Sequence, residues 1–333
     1  MRVTTVAIAG FGSVGRAAAG LLLARRERFR LLYGTEVRLV AVCGSRSGLF
    51  DAGGLEGDRL ETLEPGLSGP GVLLASGPDL LIEAGPTDYR DGEPSLSYLR
   101  AGLSAGCDAV VISKGALARH GRELRALAAA SNARLKVSGA AAAALPALDL
   151  LQHSLLGSTV TRLEGVLNAT TNFLLDAMMT RGIGFDAALK EAQAGGFAEA
   201  DPRNDTEGWD TAAKLLILAT FGLGLDLDLD DIDVTGVQVV TADHIAAWRA
   251  EGRVPKLIGS LGFGDDGPRA EVAVRALPLD DPLARVGGKT KAVRVTTDAM
   301  GETLAIGGGR EPLATAAAAL KDVEHILKER AAA

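Results

Sequence analysis

Cysteine and histidine are scarce in this sequence, and their scarcity limits the metal and redox chemistry that it can support. The two cysteines, Cys43 and Cys107, both fall near predicted strands. Such positions favour small buried thiols over a disulfide bridge or a pair of metal ligands. The four histidines are scattered without the spacing of zinc ligands. We therefore predict no metal site from these residues.

Long hydrophobic runs and dense basic clusters are also missing. No uninterrupted apolar run reaches the length needed to span a bilayer. The net charge is −7, and the arginines between Arg25 and Arg30 form only a short cluster, which argues against a nucleic-acid partner. Glycines interrupt the apolar run near the amino terminus, so it does not fit a signal peptide. We predict a cytoplasmic protein with no membrane or nucleic-acid partner.

A glycine motif follows the first predicted strand. Val3 to Ala9 is β-branched and apolar, and Arg16 to Ala24 fits a helix, so the motif lies between strand and helix as a dinucleotide site requires. Its first glycine allows a tight turn, its second lets the backbone approach a pyrophosphate, and its third lets helix and strand pack closely. Phosphate charge then meets the helix N-terminus. The candidate cofactor-binding residues here are Gly10, Phe11, Gly12, Ser13, Val14 and Gly15.

The end of the second predicted strand, Val37 to Val42, bears on which dinucleotide is bound. An NAD enzyme usually has Asp or Glu there to bind the ribose 2′-hydroxyl, and this chain has neither. Arg46 and Ser47 could instead bind a 2′-phosphate by charge-assisted hydrogen bonds. The alternative is that Arg46 is a solvated loop residue. We favour NADP and leave the use of NAD open.

Two later strands of the same region end at further candidate residues. Leu80 to Ala84 leads into Gly85 and Thr87, and Ala109 to Ser113 ends at Lys114. Ligands of open parallel sheets bind just outside the carboxyl ends of the strands. We therefore add all three residues to the cofactor-binding candidates, with Lys114 also a catalytic candidate. The alternative for a lysine at a strand end is simple exposure.

The chain has 333 residues, 47% of them hydrophobic and 23% charged, which is enough for two globular domains. Alternating strands and helices predict an α/β fold whose first domain, 1–137, is a Rossmann-type doubly wound dinucleotide-binding domain. Within it we expect 48–77 to be a helix and loop excursion with little chemistry. Strands with few helices between them predict an α+β catalytic and dimerisation domain at 138–310. A last helix at 311–330 is expected to pack on the first domain.

The segment from Glu199 to Lys214 concentrates ionisable groups. Asp210 and Lys214 are four residues apart, so they share one face of a predicted helix whose apolar continuation faces a core. Asn204 and Glu207 are spaced like a capping box in front of that helix. An exposed ion pair behind a polar cap would give the same pattern. Both interpretations are open when the segment is taken alone.

Together these motifs resemble the homoserine dehydrogenase family over nearly the whole chain. The phrase around Glu199 is highly specific, whereas the glycine motif alone would not identify a family. The resemblance is closest to the short form of the family, so we expect no appended regulatory domain. The phrases that carry it are GFGSVG at 10–15, GPTDYRDGEPSLSYLRAGL at 85–103, VVISKGALA at 110–118, LEGVLNATTNFLLDAMM at 163–179, FDAALKEAQAGGFAEADPRNDTEGWDTAAKLLILA at 185–219 and VRVTTDAMGETLAIGGG at 293–309.

The resemblance implies reversible hydride transfer between L-homoserine and L-aspartate 4-semialdehyde with NAD or NADP, in threonine and methionine biosynthesis. Reducing an aldehyde needs a proton donor at the carbonyl oxygen, and the reverse reaction needs the same group as a base. Carried over residue by residue, Lys114 and Lys214 face the reacting oxygen, and Asp210 orients Lys214. The implied partner is a small-molecule substrate.

The resemblance also assigns the substrate-binding residues. Glu199 matches the position that binds the substrate amino group, and Asp205 is expected to support the polar network around it. Thr171 and the backbone after Asn168 lie where the family holds the amino-acid end of the substrate. The family likeness and the apolar sheet predicted for the second domain together suggest a homodimer.

The chain departs from the family pattern in three places. Ala169 replaces a usual Gly, and its methyl group could reshape the substrate pocket. Ser138 stands where Glu is common, and Ala140 to Ala144 stand where the family has a glycine-containing segment, which weakens the case for the monovalent cation site of some members. Ile112 and Ser113 replace the Ala and Asn of the family phrase ANK, a change that should affect cofactor contact more than chemistry.

Two other hypotheses are open, and the first follows from these departures. A related dehydrogenase of another small hydroxy or amino acid would explain Ala169 and the alanine run. A cofactor-binding sensor or scaffold without turnover belongs to a different class. The intact acid and base residues argue against the scaffold, because it has no need of Lys214. Homoserine dehydrogenase activity is the leading hypothesis.

Overall fold

The computed structural model describes residues 1–196 and 198–332. Phe197, part of the family-like phrase at 185–219, lies outside the described residues. The strands are β1 Arg2–Ala9, β2 Thr35–Cys43, β3 Ser47–Phe50, β4 Glu64–Pro65, β5 Leu80–Glu83, β6 Asp108–Val111, β7 Leu135–Lys136, β8 Val160–Val166, β9 Ile232–Val234, β10 Arg253–Gly264, β11 Gly267–Pro278, β12 Lys291–Thr297 and β13 Gly301–Gly307.

Helices connect most of these strands. The α-helices are α1 Ser13–Ala24, α2 Arg26–Tyr33, α3 Pro70–Leu74, α4 Ser95–Ser104, α5 Gly115–Ala130, α6 Ser138–Ala142, α7 Ala147–Asp149, α8 Ala169–Arg181, α9 Phe185–Ala194, α10 Arg203–Thr206, α11 Trp209–Ile217, α12 Ala242–Ala250 and α13 Leu313–Ala332. Shorter 3₁₀ and π turns lie at Gly57–Glu61, Leu150–Ser154, Leu218–Gly222, Leu229–Asp231, Val237–Val239 and Pro282–Arg285. None of the described helices is both long enough and apolar enough to cross a membrane.

The chain forms two compact units. The first comprises Met1–Ala144 with Arg310–Ala333, and the second comprises Leu145–Gly309. The sequence prediction instead divides the chain between residues 137 and 138, with a returning helix at 311–330. The difference is the segment with α6 and the alanine run, which belongs to the first unit because it packs against α13. The catalytic and dimerisation roles assigned to the second unit stay predictions.

The first unit contains a seven-stranded sheet in the order β4-β3-β2-β1-β5-β6-β7. Strands β2, β1, β5, β6 and β7 run parallel to one another. At the edge of the sheet, β3 is antiparallel to β2, and β4 is antiparallel to β3. Each parallel connection from β1 onwards passes through helix, as parallel pairing requires. The α/β fold class with a Rossmann-type doubly wound first domain is therefore confirmed.

Alternating side chains of the central strand separate the two faces of this sheet. Val6 and Ile8 of β1 belong to the larger buried cluster, which also contains Phe29 of α2 and Val323 of α13. Ala7 and Ala9 face the other side, where both cysteines are buried as free thiols. The prediction of small buried thiols is confirmed. Burial on both faces explains why the second half of β1, from Val6 to Ala9, is a continuous apolar run.

The second unit contains a six-stranded mixed sheet in the order β13-β12-β8-β10-β11-β9. All neighbours are antiparallel except β11 and β9. Strands β10 and β11 form a long hairpin in which Gly264 pairs with Gly267. Helices α8 and α11 pack on β10. The predicted α+β sheet of antiparallel or mixed strands is confirmed.

Candidate active site

A pocket of about 390 Å³ lies in the first unit at the carboxyl ends of β1 and β5. These strands are neighbours in the sheet, and ligands of open parallel sheets bind at this edge. Two of the predicted cofactor-binding residues, Gly10 and Gly85, line the pocket. The other lining residues are Ala9, Gly44, Ser45, Ser68, Gly69, Pro70, Glu83, Pro86, Pro94, Ser97 and Tyr98.

The segment 48–77 contributes to this pocket, contrary to the prediction that it carries little chemistry. It contains most of β3 and all of β4 as well as the expected helix and loop. Ser68, Gly69 and Pro70 then line the pocket, and the N–H of Gly69 donates to the hydroxyl of Tyr98 at 2.9 Å. The prediction was wrong because β3 and β4 are too short to show a strand pattern, and β3 is joined to the rest of the sheet by β2, which lies outside the segment.

The glycines of the motif have the backbone that dinucleotide binding needs. Gly10 has a φ of +89°, and a Cβ there would lie 2.3 Å from the carbonyl carbon of Ala84. A Cβ on Gly15 would lie 2.1 Å from the carbonyl oxygen of Gly10. Gly12 differs, because a Cβ there meets nothing within 4 Å, and no side chain caps the helix that it begins. The open space and uncapped N-terminus fit a bound pyrophosphate.

The other residues of the motif lie in the turn or in the first turn of α1. Phe11 is buried, and the guanidinium of Arg16 lies 4.7 Å from the centre of its ring. Ser13 is exposed at the first position of α1, where its N–H is one of the groups that helix formation leaves without a partner. Val14 packs against the core of the unit.

Arg46 and Ser47 follow the lining residues along the chain but do not line the pocket themselves. The side chain of Arg46 is exposed, and its carbonyl oxygen accepts a hydrogen bond from Gly66 at 2.9 Å. Ser47 begins β3, and its carbonyl oxygen accepts one from Gly44 at 2.8 Å. Among the described residues, the lining offers hydroxyl groups and no cation. The pocket wall therefore has no positive charge of its own to select a 2′-phosphate.

Lys114 lies three residues after the end of β6 and immediately before the first residue of α5. Its backbone N–H donates to Oγ1 of Thr87 at 3.3 Å, so these two predicted residues are in contact. A Cβ on Gly115 would lie 2.0 Å from the carbonyl oxygen of Asp88. Helix α5 begins at Gly115, and the apolar residues of its first turn are buried. The loop after β5 thus holds the backbone around Lys114.

In the second unit, α11 carries Asp210 in its first turn and Lys214 one turn later. The helix lies close to β10 at Gly259, where an added Cβ would lie only 3.1 Å from Cγ2 of Thr211. The Lys214 and Asp210 side chains are 10% and 12% exposed. This burial excludes the interpretation of an exposed surface ion pair. The two charges instead face the interior of the second unit.

Lys214 is held by two acceptors. Its Nζ donates to Oδ2 of Asp210 at 2.5 Å and to the carbonyl oxygen of Leu167 at 2.9 Å. A lysine ammonium has three N–H donors. Within the described part of the chain, the third has no hydrogen-bond partner. Lys214 is therefore fixed in position with one donor still available.

Asn168 connects the predicted residues of this cluster. It follows β8 and is the N-cap of α8, where its Oδ1 accepts from the N–H of Thr171 at 2.9 Å. Its Nδ2 donates to Oδ1 of Asp205 at 2.7 Å and to Oδ2 of Asp210 at 2.8 Å. The amide thus uses its oxygen and both of its N–H donors. Sequence reasoning assigned only the backbone after Asn168, although a polar residue between strand and helix is a signal for this position.

The second carboxylate of the cluster has an altered protonation equilibrium. Burial raises the pKa of Asp205 above its ordinary value, and the negative charge of Asp210 raises it further. Hydrogen bonds from Asn168 and Thr170 and the charge of Lys214 act in the opposite direction, with smaller effect. Two carboxylates near one ammonium form a site that can hold a proton close to a reacting group.

Glu199 is not joined to this cluster. Its side chain is exposed, and its carbonyl oxygen accepts a hydrogen bond from Nε2 of Gln193 at 3.1 Å. Among the described residues, no hydrogen bond or ion pair links its carboxylate to Asn168 or to the charges that Asn168 connects. The assignment of Glu199 to the substrate amino group stays a prediction.

The capping box predicted in front of α11 is wrong. Asn204 lies inside the short helix α10, and Glu207 accepts a hydrogen bond from Nε1 of Trp209. Gly208, with a φ of +96°, is the N-cap of α11 and provides no side-chain cap. A positive φ suits glycine, so the chain turns there and starts a new helix. The spacing of Asn204 and Glu207 does not indicate this break between α10 and α11.

The positions that depart from the family pattern are well packed. Ser138 donates its Oγ–H and its N–H to the two oxygens of Asp322, each at 2.7 Å. Ala140 to Ala142 are buried in α6. Ala143 has a φ of +54°, a conformation that favours glycine. Among the described residues, no group of three His, Cys, Asp or Glu side chains could hold a metal ion.

The comparisons with known proteins agree with this arrangement. A family model described as homoserine dehydrogenase matches residues 146–323, and a model of the homoserine dehydrogenase NAD-binding domain matches residues 10–138. The class is that of nicotinamide-dependent oxidoreductases that act on a CH–OH group. The chain belongs to the homoserine dehydrogenase family.

Individual relatives are similar over almost the whole chain. The NAD(+)-dependent homoserine dehydrogenase of Pseudomonas canavaninivorans is 36% identical, over 96% of this chain and 95% of that protein. The homoserine dehydrogenase of Methanocaldococcus jannaschii is 30% identical, over 96% and 98%. The crystal structure of a homoserine dehydrogenase from Thiobacillus denitrificans superimposes with a TM-score of 0.90 at 28% identity, covering 100% of this chain and 75% of that one.

Proposed function

We propose that this enzyme transfers a hydride reversibly between L-homoserine and L-aspartate 4-semialdehyde. Membership of the family supports the reaction, and the observation that carries it is the state of Lys214. This buried ammonium is held by Asp210 and Leu167, and its third N–H has no hydrogen-bond partner among the described residues. A positioned donor of this kind is what the oxygen of an aldehyde requires during reduction.

Oxidation of a CH–OH group removes a hydride from carbon and a proton from oxygen. When bound, NAD(P)⁺ accepts the hydride. Neutral Lys214 would accept the proton from the hydroxyl, and the ammonium form would return it to the carbonyl oxygen in the reverse direction. Asp210 keeps Nζ in place and stabilises the ammonium form by its charge. Asn168 in turn fixes the carboxylate of Asp210.

The remaining roles rest on the family motif. Lys114 is proposed as the second lysine that serves the reacting oxygen, and Glu199 as the partner of the substrate amino group. Thr171 is proposed to bind the amino-acid end, with its N–H oriented by Asn168. Asp205 would support this network through the same amide. A homodimer and a cytoplasmic location also stay proposals; light scattering of the purified enzyme tests the first.

The choice between NAD and NADP remains to be tested. The name of the Pseudomonas canavaninivorans relative and the uncharged hydroxyl groups of the pocket lining favour NAD. The exposed Arg46 that follows the lining favours NADP. We propose that the enzyme uses both and that Arg46 carries the NADP share. Arg46→Ala should then weaken NADP binding and leave NAD binding unchanged; equal losses for both cofactors would contradict this role.

A second candidate function is suggested by Ala169. This residue is the first of α8 and lies between Asn168 and Thr170, so its methyl group borders the proposed binding region. A related dehydrogenase of another small hydroxy or amino acid would use the same Lys214 chemistry. Ala169→Gly is the sharpest test of this candidate, because it restores the family residue. A rise in homoserine turnover relative to other alcohols would show that Ala169 shapes substrate choice.

The decisive experiment is a steady-state assay of homoserine oxidation with NAD and with NADP, from neutral to alkaline pH. We expect turnover with homoserine and a clear preference over other small polar alcohols and amino acids. Absence of activity with either cofactor would overturn the proposed reaction. A preference for another substrate would support the related dehydrogenase instead.

A further inference from the structure

A second cluster of polar side chains is buried in the first unit, where β5 and β6 end. Glu83 is the last residue of β5, Ser95 begins α4, and Ser113 lies two residues after β6. They are 1%, 1% and 3% exposed. Glu83 also lines the 390 Å³ pocket. The proposed reaction uses none of these three side chains.

The cluster is a closed ring of short contacts. Ser95 Oγ lies 2.6 Å from Glu83 Oε1, Ser113 Oγ lies 2.5 Å from Glu83 Oε2, and the two hydroxyl oxygens are 3.0 Å apart. Each serine hydroxyl has one proton to donate. Two protons cannot serve three contacts at once. All three become hydrogen bonds only when the Glu83 carboxyl carries the third proton.

The surroundings of Glu83 also favour a neutral acid. Among the described residues, its carboxyl has no cationic partner, only hydroxyl and peptide N–H groups. Burial raises the pKa of Glu83, and this effect exceeds that of the hydrogen bonds from Ser113, Ser95 and Gly85, which lower it. A buried carboxylate that lines a dinucleotide pocket would repel the phosphate charges of its ligand.

The ring connects to the pocket edge at Gly85 and to the chain at Lys114. The N–H of Gly85, a pocket residue, donates to Glu83 Oε1 at 2.7 Å. Ser113 immediately precedes Lys114, whose own N–H is held by Thr87. The carboxyl of Glu83 is therefore one anchor for the turn after β5 and for the chain that leads into α5.

We propose that Glu83 is a neutral carboxylic acid that acts as a positioning residue, fixing Lys114 through Ser113 and the pocket edge through Gly85. The part of this proposal that concerns Lys114 rests on the proposed function. The protonation state does not, because it concerns the enzyme without substrate.

Infrared difference spectroscopy tests the protonation state at neutral pH. Subtracting the spectrum of Glu83→Gln from that of the wild type should leave the carbonyl stretch of a protonated carboxylic acid. The matched control is Glu56→Gln, which changes an exposed glutamate that pairs with Arg26 and should leave no such band. Absence of the band for Glu83, with the variant folded, would overturn the neutral acid.

Kinetics test the positioning role. Glu83→Gln retains an acceptor and a donor in the ring, so its kcat for homoserine should stay close to that of the wild type. Glu83→Ala and Ser113→Ala open the ring, and we expect each to lower kcat by about tenfold to a hundredfold with a smaller change in KM. Unchanged kcat in a folded ring-opened variant, or failure of Gln to preserve it, would overturn the positioning role.

The two proposals fail in different ways. If the wild type binds NADH and shows the carbonyl band but does not oxidise homoserine, the proposed function is wrong and the neutral acid stands. If homoserine is oxidised and the band is absent, the neutral acid is wrong and the function stands. NADH affinity, measured by its fluorescence, provides the binding readout for both cases.

Discussion

The two units bury their carboxyl groups in opposite ways. In the first unit, Glu83 is surrounded by two serine hydroxyls and a peptide N–H, without a cation among the described residues. In the second, Asp210 is paired with Lys214 at 2.5 Å and shares an amide with Asp205. One carboxyl has only uncharged partners, which suit the proposed neutral acid, and the other is paired with an ammonium group.

This difference matches what each region has to do. A pocket for a dinucleotide must accept phosphate charge, so a neutral wall near a helix N-terminus without a side-chain cap suits it. The proposed proton transfer needs a donor that is held in position, and Lys214, bound by Asp210 and Leu167, is such a group. Five predictions test the contrast, beginning with the largest expected effect.

Replacing Lys214 by methionine should abolish most of the enzyme's oxidation of homoserine. The change removes the proton donor and leaves the Asp210 carboxylate with the amide of Asn168, so we expect kcat to fall by about 10²- to 10⁴-fold. NADH affinity should be unchanged, since the pocket of the first unit is made of other residues. Lys190→Met, at an exposed position of α9, is the control. A folded Lys214→Met enzyme with normal kcat would remove Lys214 from the mechanism.

Substitutions of the pocket glycines should separate stability from binding. Gly10→Ala places a methyl group 2.3 Å from Ala84 in a conformation with positive φ, and we expect a loss of about 3 kcal/mol or more in the free energy of unfolding, together with lost NADH binding. Gly12→Ala meets no atom within 4 Å, so its stability should be normal. Its NADH affinity should still fall by about tenfold, about 1.4 kcal/mol, because the methyl group occupies the space for a pyrophosphate.

Chemical denaturation gives the stability of both glycine variants, and fluorescence titration gives their NADH affinity. The informative result is the contrast between them. Equal stability losses would mean that Gly12 also has a structural role. Unchanged NADH affinity in Gly12→Ala would show that the pyrophosphate binds elsewhere, and the pocket at the ends of β1 and β5 would lose its assignment.

Much of this arrangement was predictable because its signals are local. The glycine motif between strand and helix and the four-residue spacing of Asp210 and Lys214 identify the pocket and the ion pair without any tertiary information. Asn168 and Glu83 were missed as site side chains for the opposite reason. Their partners lie 37 or 42 residues away for Asn168 and 12 or 30 residues away for Glu83. No periodicity links such distant groups.

The capping prediction failed for a related reason. Asn204 and Glu207 have suitable spacing, but Gly208 takes a positive φ and begins a new helix after them. The spacing rule assumes a continuous helix, and a glycine turn breaks that assumption. Short elements such as β3 and β4 were missed because a strand of two to four residues has too few side chains to show alternation.

Removing the side chain of Asn168 should affect stability and activity together. Asn168→Ala deletes the N-cap of α8 and both donors to the carboxylates, so we expect a loss of about 2 kcal/mol in the free energy of unfolding. The kcat should fall as well, because Asp210 loses the group that fixes it. Thermal and urea denaturation measure the first effect. Asn204→Ala, at an exposed position of α10, is the matched control and should change neither quantity; a stable Asn168→Ala would contradict the connecting role.

A smaller effect concerns Asp205 and has a definite sign. Burial raises its pKa above the ordinary value of 3.8, so the stability associated with this carboxyl is fully present below the unfolded-state pKa and is lost as pH rises through the folded-state pKa. Asp205→Asn should therefore become more stable than the wild type as pH increases from acidic towards 8. The measurement is the midpoint of thermal unfolding of both proteins across that range.

Asp201 provides the opposite case within the same segment. Hydrogen bonds from Arg203 lower the pKa of Asp201 to about 2, so its contribution is present above its unfolded-state pKa and is lost as pH falls. Asp201→Asn should show a slight loss of stability at neutral pH, limited by the exposure of the pair. If Asp205→Asn instead lost stability at pH 8, Asp205 would be a stabilising carboxylate like Asp201. The contrast between a neutral pocket wall and the proposed proton-transfer site would then extend to both carboxylates that Asn168 binds.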